Sequence, residues 1–116
     1  ERWNRLHPEA EPRLPFVSQV FGPDGGPIVA ATDWVRAVPD LVARWLPAGY
    51  VSLGTDGFGR SDTREALRAF FEIDPPNIAA ATLAALARGG QVSARRAAKA
   101  IRELGLDPER DAPFAV

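Results

Sequence analysis

The stretch Gly54-Thr-Asp-Gly-Phe-Gly-Arg-Ser-Asp62 concentrates the residue types able to do chemistry in this chain. Gly57 and Gly59 flank Phe58, so the backbone can take tight or left-handed angles around that aromatic. The amides from Gly57 to Ser61, with the Arg60 guanidinium, form a candidate cradle for a phosphate or carboxylate, as in a small-anion or nucleotide-binding regulatory module. Thr55, Asp56, Phe58 and Asp62 complete the candidate interaction loop. The competing reading is a structural turn: Gly57 and Gly59 permit the bend, Asp56 bonds loop amides, and Asp62 caps the helix that follows. The loop is not a dinucleotide fingerprint, which needs a third glycine where Asp62 stands, and no Gly-Lys-Ser/Thr follows to make a nucleotide phosphate loop. Asp56 and Asp62 would also repel a polyphosphate unless a metal or Arg60 intervened.

Other candidate chemistry is thin. Asp56, Asp62 and Glu65 resemble a magnesium cluster in type, but Asp62-x-x-Glu65 already reads as a capping box, so no metal site is expected. The single histidine, His7, has no neighbouring nucleophile and is expected on a surface or at an interface, as is Trp3. Ser61 lacks a histidine partner, so serine hydrolase chemistry is unsupported. Trp34 and Trp45 read as core residues of an amphipathic helix. Arg88, Arg95, Arg96, Lys99 and Arg102 read as a solvated basic face. No residue is assigned a catalytic role.

The elements that must position the loop follow from pattern. Tyr50 to Leu53 is the best strand candidate, and Asp62 begins a helix near Thr63 with Leu67, Phe70 and Phe71 on one face. Ile28 to Ala31 is a short apolar run after the turn Gly22–Gly26, the mark of a strand buried on both faces. Between the strands, Thr32 or Asp33 is expected to cap a helix carrying Trp34, Val38, Leu41, Val42 and Trp45 on one side, with Pro39 breaking it or sitting in its first turn. Strand, helix, strand at this length predicts a parallel crossover. Arg2–Leu6 reads as a last helical turn stopped by Pro8, and Glu9–Pro15 as an extended connection. Phe16–Phe21 fits helix or strand. Asp74-Pro75 predicts a helix start, Gly89-Gly90 its end, and Ser93 the cap of a final helix whose apolar face is Ala94, Ala97, Ala98, Ile101 and Leu104. The tail from Leu106 is expected to wrap or hang loose.

Composition narrows the function classes. The chain has 116 residues, one domain by length, with a formal net charge of −1. That charge, and the absence of a basic stripe, argue against nucleic-acid or anionic-membrane partners. There is no cysteine, which excludes disulfides and thiolate chemistry. No apolar run approaches the ~18 residues of a membrane span, and no signal-like segment follows Glu1.

The segment Gly54 to Glu65, continued by Leu67-Arg68 and Phe71-Glu-Ile-Asp74, resembles the C-terminal domain of the homodimeric bacterial pyruvate dehydrogenases, in the transketolase-like, thiamine-diphosphate-dependent family. The openings Glu1–Pro8 and Gly26–Asp33 are similar to the same family. The resemblance implies an α/β fold: part of a three-layer domain over residues 1–116, with a mostly parallel sheet followed by C-terminal helices, and with upstream strands and the catalytic domains absent. It favours a helix at Phe16–Phe21. It implies a parent that oxidatively decarboxylates pyruvate on thiamine diphosphate and magnesium and passes acetyl to the lipoyl group of an acyltransferase. It implies a cytoplasmic homodimer in which this segment supports dimer and domain assembly, binds no cofactor itself, and has no activity alone. Its partners would be the remaining domains, the second subunit and the lipoyl acyltransferase. The family's cofactor motif is absent, since Asp56-Gly57 is followed by Phe58.

Overall fold

The computed structural model describes residues 1–115. Two strands, β1 (Val29–Ala31) and β2 (Val51–Leu53), pair in parallel with Val29 opposite Val51 and Ala31 opposite Leu53. The expected crossover is therefore present, and the α/β class with it. The ladder runs on past the strands: Thr32 N–H donates to Leu53 O at 3.0 Å, and Thr55 N–H to Trp34 O at 2.9 Å.

That extension alters the crossover. The backbone from Thr32 to Trp34 is held alongside Leu53–Thr55, so no helix starts at Thr32 or Asp33. The Thr32 hydroxyl accepts instead from Trp34 N–H at 3.1 Å. Only one helical turn forms, α3 (Ala37–Asp40), with Pro39 in that first turn, where its missing N–H costs nothing. A tight turn at Ala43–Trp45 follows. The apolar stripe expected to be core is consequently exposed: Trp34 at 72% and Leu41 at 75%, with Val38 and Val42 also open. Trp45 is half-buried, its Nε1 donating to Glu1 Oε1 at 3.0 Å. The Tyr50 hydroxyl donates to Asp40 Oδ1 at 3.0 Å, tying α3 back to the foot of β2.

The helices before and after the sheet lie close to expectation. The first two are α1 (Arg2–Leu6) and α2 (Phe16–Phe21), the latter linked to the crossover by Ser18 Oγ donating to Trp45 O at 2.6 Å. After β2 come α4 (Arg64–Phe70), α5 (Pro75–Arg88) and α6 (Ala94–Glu103). Asp74 caps α5 by accepting from Asn77 N–H at 3.3 Å, with Pro75 at the first position. Ser93 caps α6 by accepting from Arg96 N–H at 3.3 Å. The α4 cap is Thr63, not Asp62: the Thr63 hydroxyl accepts from Ala66 N–H at 3.2 Å, and Asp62 Oδ1 accepts from Thr63 N–H at 2.7 Å. The buried stripe of α6 also differs. Ala97, Ala100, Ile101 and Leu104 face inward, while Ala94 and Ala98 are exposed.

The core is small. Ile73 and Ala85 are 6% exposed and Ala97 3%; among the described residues no large side chain is fully enclosed. Ala85 and Ala97 lie on α5 and α6, which form the most extensive helix contact of the fold. Alanines on both sides let the two backbones approach closely. α5 also packs on both strands, whereas no other helix contacts them extensively. β1 is therefore half-buried, with Ala31 exposed, rather than buried on both faces as expected, and β2 is half-buried as well. The molecule measures 53 × 36 × 20 Å with a radius of gyration of 17.3 Å, against about 13 Å for a self-contained domain of this length. Its accessible surface of 8603 Å² exceeds by about 2,400 Å² the surface of an ordinary 12.5 kDa monomer.

Candidate functional site

The glycine loop leaves the C-terminal end of β2 and enters α4, and the crossover grips its first half. Thr55 Oγ1 donates to Asp33 O at 3.0 Å. Asp56 Oδ1 accepts from the Arg36 backbone N–H at 3.1 Å, and Oδ2 accepts a hydrogen bond from Arg36 Nε–H. The structural-turn reading has Asp56 bonding the loop's own amides; instead it reaches Arg36 in the strand-to-helix connection opposite. Arg36's hydrogen bond is the main reason its carboxyl titrates below the usual carboxylate range. Gly54 lies where the two segments cross: a Cβ there would stand 2.6 Å from Trp34 O and 2.8 Å from Arg36 N.

The second half of the loop is open. Gly57 takes φ +104°, and a Cβ on it would meet Phe114 Cα at 3.0 Å, because the turn Pro113–Ala115 folds back here. The tail therefore wraps. Arg110 fastens it by donating from Nη1 to Ala69 O at 3.3 Å and from Nη2 to Phe70 O at 3.2 Å, carbonyls at the end of α4. Gly59 takes no left-handed angle and has open space around it. Phe58 is 85% exposed, and Ser61 is exposed. The Arg60 guanidinium stacks 3.9 Å from the centre of the Phe70 ring, an attraction between cation and ring face.

Between this open half and α4 lies a cleft of about 460 Å³. Its cations are Arg60, Arg64 and Arg68, and its carboxylates Asp33 and Asp62. Arg68 Nη2 donates to Asp33 Oδ2 at 3.1 Å, and that bond holds the Asp33 carboxyl below its ordinary pKa. The loop residues were legible beforehand; Asp33, Arg36, Arg64 and Arg68 were not. Arg64 and Arg68 are four apart on one helical face, a signal present in the sequence. Arg36 and Asp33 carry none, being brought in by the crossover.

Trp3 and His7 do not line this cleft. Their rings stack 4.4 Å apart and nearly parallel, His7 Nδ1 donates to Trp3 O at 2.8 Å, and Arg13 covers the other Trp3 face at 3.8 Å. Asn4 closes the unit by exchanging two hydrogen bonds with the Arg13 backbone, at 2.9 and 2.8 Å. Trp3 is thereby partly consumed inside its own segment. Among the described residues no three His, Cys, Asp or Glu side chains are grouped to hold a metal, and no helix is long and apolar enough to cross a membrane.

The Asp56–Arg36 contact has a pH signature. Asp56 holds its proton less tightly folded than unfolded, so the contact contributes fully above the ordinary carboxylate pKa of about 4 and is lost as pH falls through the lower folded value. Acid titration followed by amide NMR is expected to release Trp34–Arg36 and Thr55–Gly57 together. In Asp56→Asn that joint transition disappears.

Comparison with known proteins places residues 3–74 in the family described as transketolase-like TK C-terminal domain. The chain is 44% identical over 115 residues to a protein of Pseudomonas aeruginosa named pyruvate dehydrogenase E1 component, covering 98% of this chain and 13% of that protein. It is 46% identical over 116 residues to the protein of the same name in Cupriavidus necator (100% and 13%), and 42% over 114 residues to that of Escherichia coli K12 (97% and 13%). The chain spans 13% of the length of each of these relatives.

Proposed function

The chain belongs to the transketolase-like C-terminal domain family, and from that membership we propose that residues 1–116 are part of the C-terminal domain of a pyruvate dehydrogenase E1-type enzyme. The parent decarboxylates pyruvate and delivers the acetyl group to the lipoyl group of an acyltransferase component, as a cytoplasmic homodimer. Thiamine diphosphate with magnesium supplies the electron sink for that chemistry, in domains outside this chain. This segment's part is assembly: it offers an apolar surface to the remaining domains and to the second subunit. Trp3, His7 and the loop from Thr55 to Asp62 are the polar and aromatic margin of that surface.

The observation that carries the proposal is the surplus of exposed surface, about 2,400 Å², together with large apolar side chains left open. Phe16, Val20, Trp34, Val38 and Leu41 are all more than half exposed. A two-strand parallel sheet with one helix layer is also an incomplete arrangement, since parallel sheets are covered on both faces. Large apolar side chains left open in this way mark an interaction surface.

The residues here do not fit the cofactor. A magnesium-bound diphosphate needs free carboxylate or carbonyl ligands. Asp33 and Asp56 are each held by an arginine, and Asp62 accepts the Thr63 amide. Titration calorimetry of the separate chain with thiamine diphosphate and magnesium is therefore expected to give no saturable heat, and the chain no pyruvate decarboxylation. Micromolar binding would overturn the assignment of a non-catalytic role.

A further inference from the structure

We propose that the cleft between the glycine loop and α4 binds a small monocarboxylate with an apolar body. The site goes beyond the assembly role, with which it shares the loop from Thr55 to Asp62.

Its volume of about 460 Å³ lies within the range of small-molecule sites. Its lining is of two kinds. Phe58, Leu67, Phe71 and Ile73 supply apolar surface, and Ile73 is one of the few buried side chains of the molecule, so this wall belongs to the core. Arg60, Arg64 and Arg68 supply charge. Arg68 is neutralised by Asp33. Against Arg60 and Arg64 stands one further carboxylate, Asp62, which already accepts the Thr63 amide at 2.7 Å. The cleft therefore has a surplus of one positive charge.

Each feature restricts the ligand. A single surplus charge suits a monoanion, while Asp33 and Asp62 disfavour inorganic phosphate and polyphosphates. A guanidinium meets a planar carboxylate with two parallel hydrogen bonds, which favours carboxylate over halide or alcohol. Arg60 is pre-placed by its stack on Phe70, so little freedom is lost when it takes a ligand. Arg64 has no ion-pair partner among the described residues, and it sits in the first turn of α4, where positive charge does the helix no good. The apolar body follows from Phe58: an 85% exposed ring beside a cleft is satisfied by a hydrophobic group, not by acetate.

The test uses the full-length protein that carries this chain, with para-fluorobenzoate observed by fluorine NMR. The account expects saturable broadening that equal concentrations of acetate or inorganic phosphate fail to displace. Arg64→Gln should weaken binding about tenfold, the loss of one charged hydrogen bond. Arg64 makes no ion pair or side-chain hydrogen bond among the described residues, so this variant keeps its fold; Arg88→Gln, on α5 away from the cleft, should bind as the parent does. Unchanged affinity in Arg64→Gln, equal displacement by phosphate or acetate, or no saturable broadening would each overturn the proposal. Sedimentation of the same samples separates the two readings, since Arg64→Gln, on α4 and outside the loop, leaves the assembly state untouched.

Discussion

Gly54→Ala is expected to destabilise the chain by about 3 kcal/mol, at the upper end of single substitutions. The added methyl would lie 2.6 Å from Trp34 O and 2.8 Å from Arg36 N, and both are backbone atoms that cannot rotate aside. Relief requires parting the crossover from the loop. That parting breaks the Thr55 N–H bond to Trp34 O and both Asp56 bonds to Arg36. The loss should therefore be cooperative: a thermal midpoint lowered by about 10 °C or more, and release of Thr55 and Asp56 together. Gly59→Ala is the matched control. It has open space around it and no left-handed angle, so its effect should stay within about 0.5 kcal/mol. Equal effects at Gly54 and Gly59 would contradict the geometry.

The second large effect separates the chain's own stability from its role. Trp34→Asp with Leu41→Asp should leave the unfolding of the separate chain within about 1 kcal/mol of the parent, because the two side chains are 72% and 75% exposed. In the full-length protein the same pair should be severe. A carboxylate forced into an apolar contact without a partner costs about 3 kcal/mol or more, so the double variant should weaken assembly by at least about a hundredfold. Sedimentation velocity over a concentration series reads this directly. A full-length double variant that assembles as the parent does would place those residues outside any interface.

The same residues explain what the sequence made legible. Local chemistry was readable: Asp74 before Pro75, Ser93 before the last helix, and Gly89-Gly90 each do their work within a few residues. The parallel pairing followed from two apolar runs at crossover spacing. The stripe Trp34–Trp45 was readable as apolar but not as uncovered, because a period of three and four says that a face is buried without saying by whom. Here the stripe is uncovered among the described residues, and Thr32–Trp34 extends the sheet ladder instead of starting a helix. The loop was found by its glycines, yet the arginines that charge the cleft were not. Asp33 and Arg68 are 35 residues apart, and Arg36 and Asp56 are 20 apart. Only the fold of the crossover brings those pairs together. Asp62 and Thr63 offer the same capping chemistry one residue apart, so residue type alone does not choose between them.

The claim that this chain is completed by more of its own protein is tested most directly by amide hydrogen exchange, comparing the separate chain with the full-length protein. The account predicts that amides of Val29–Ala31, Val51–Leu53 and the segment 34–42 exchange at least about a hundredfold more slowly in the full-length protein, as expected when an open sheet and an apolar face are covered. The α5–α6 contact should change least, since Ala85 and Ala97 are already buried. Identical exchange along all of these segments would contradict the account, and would mean that the open surface stays open.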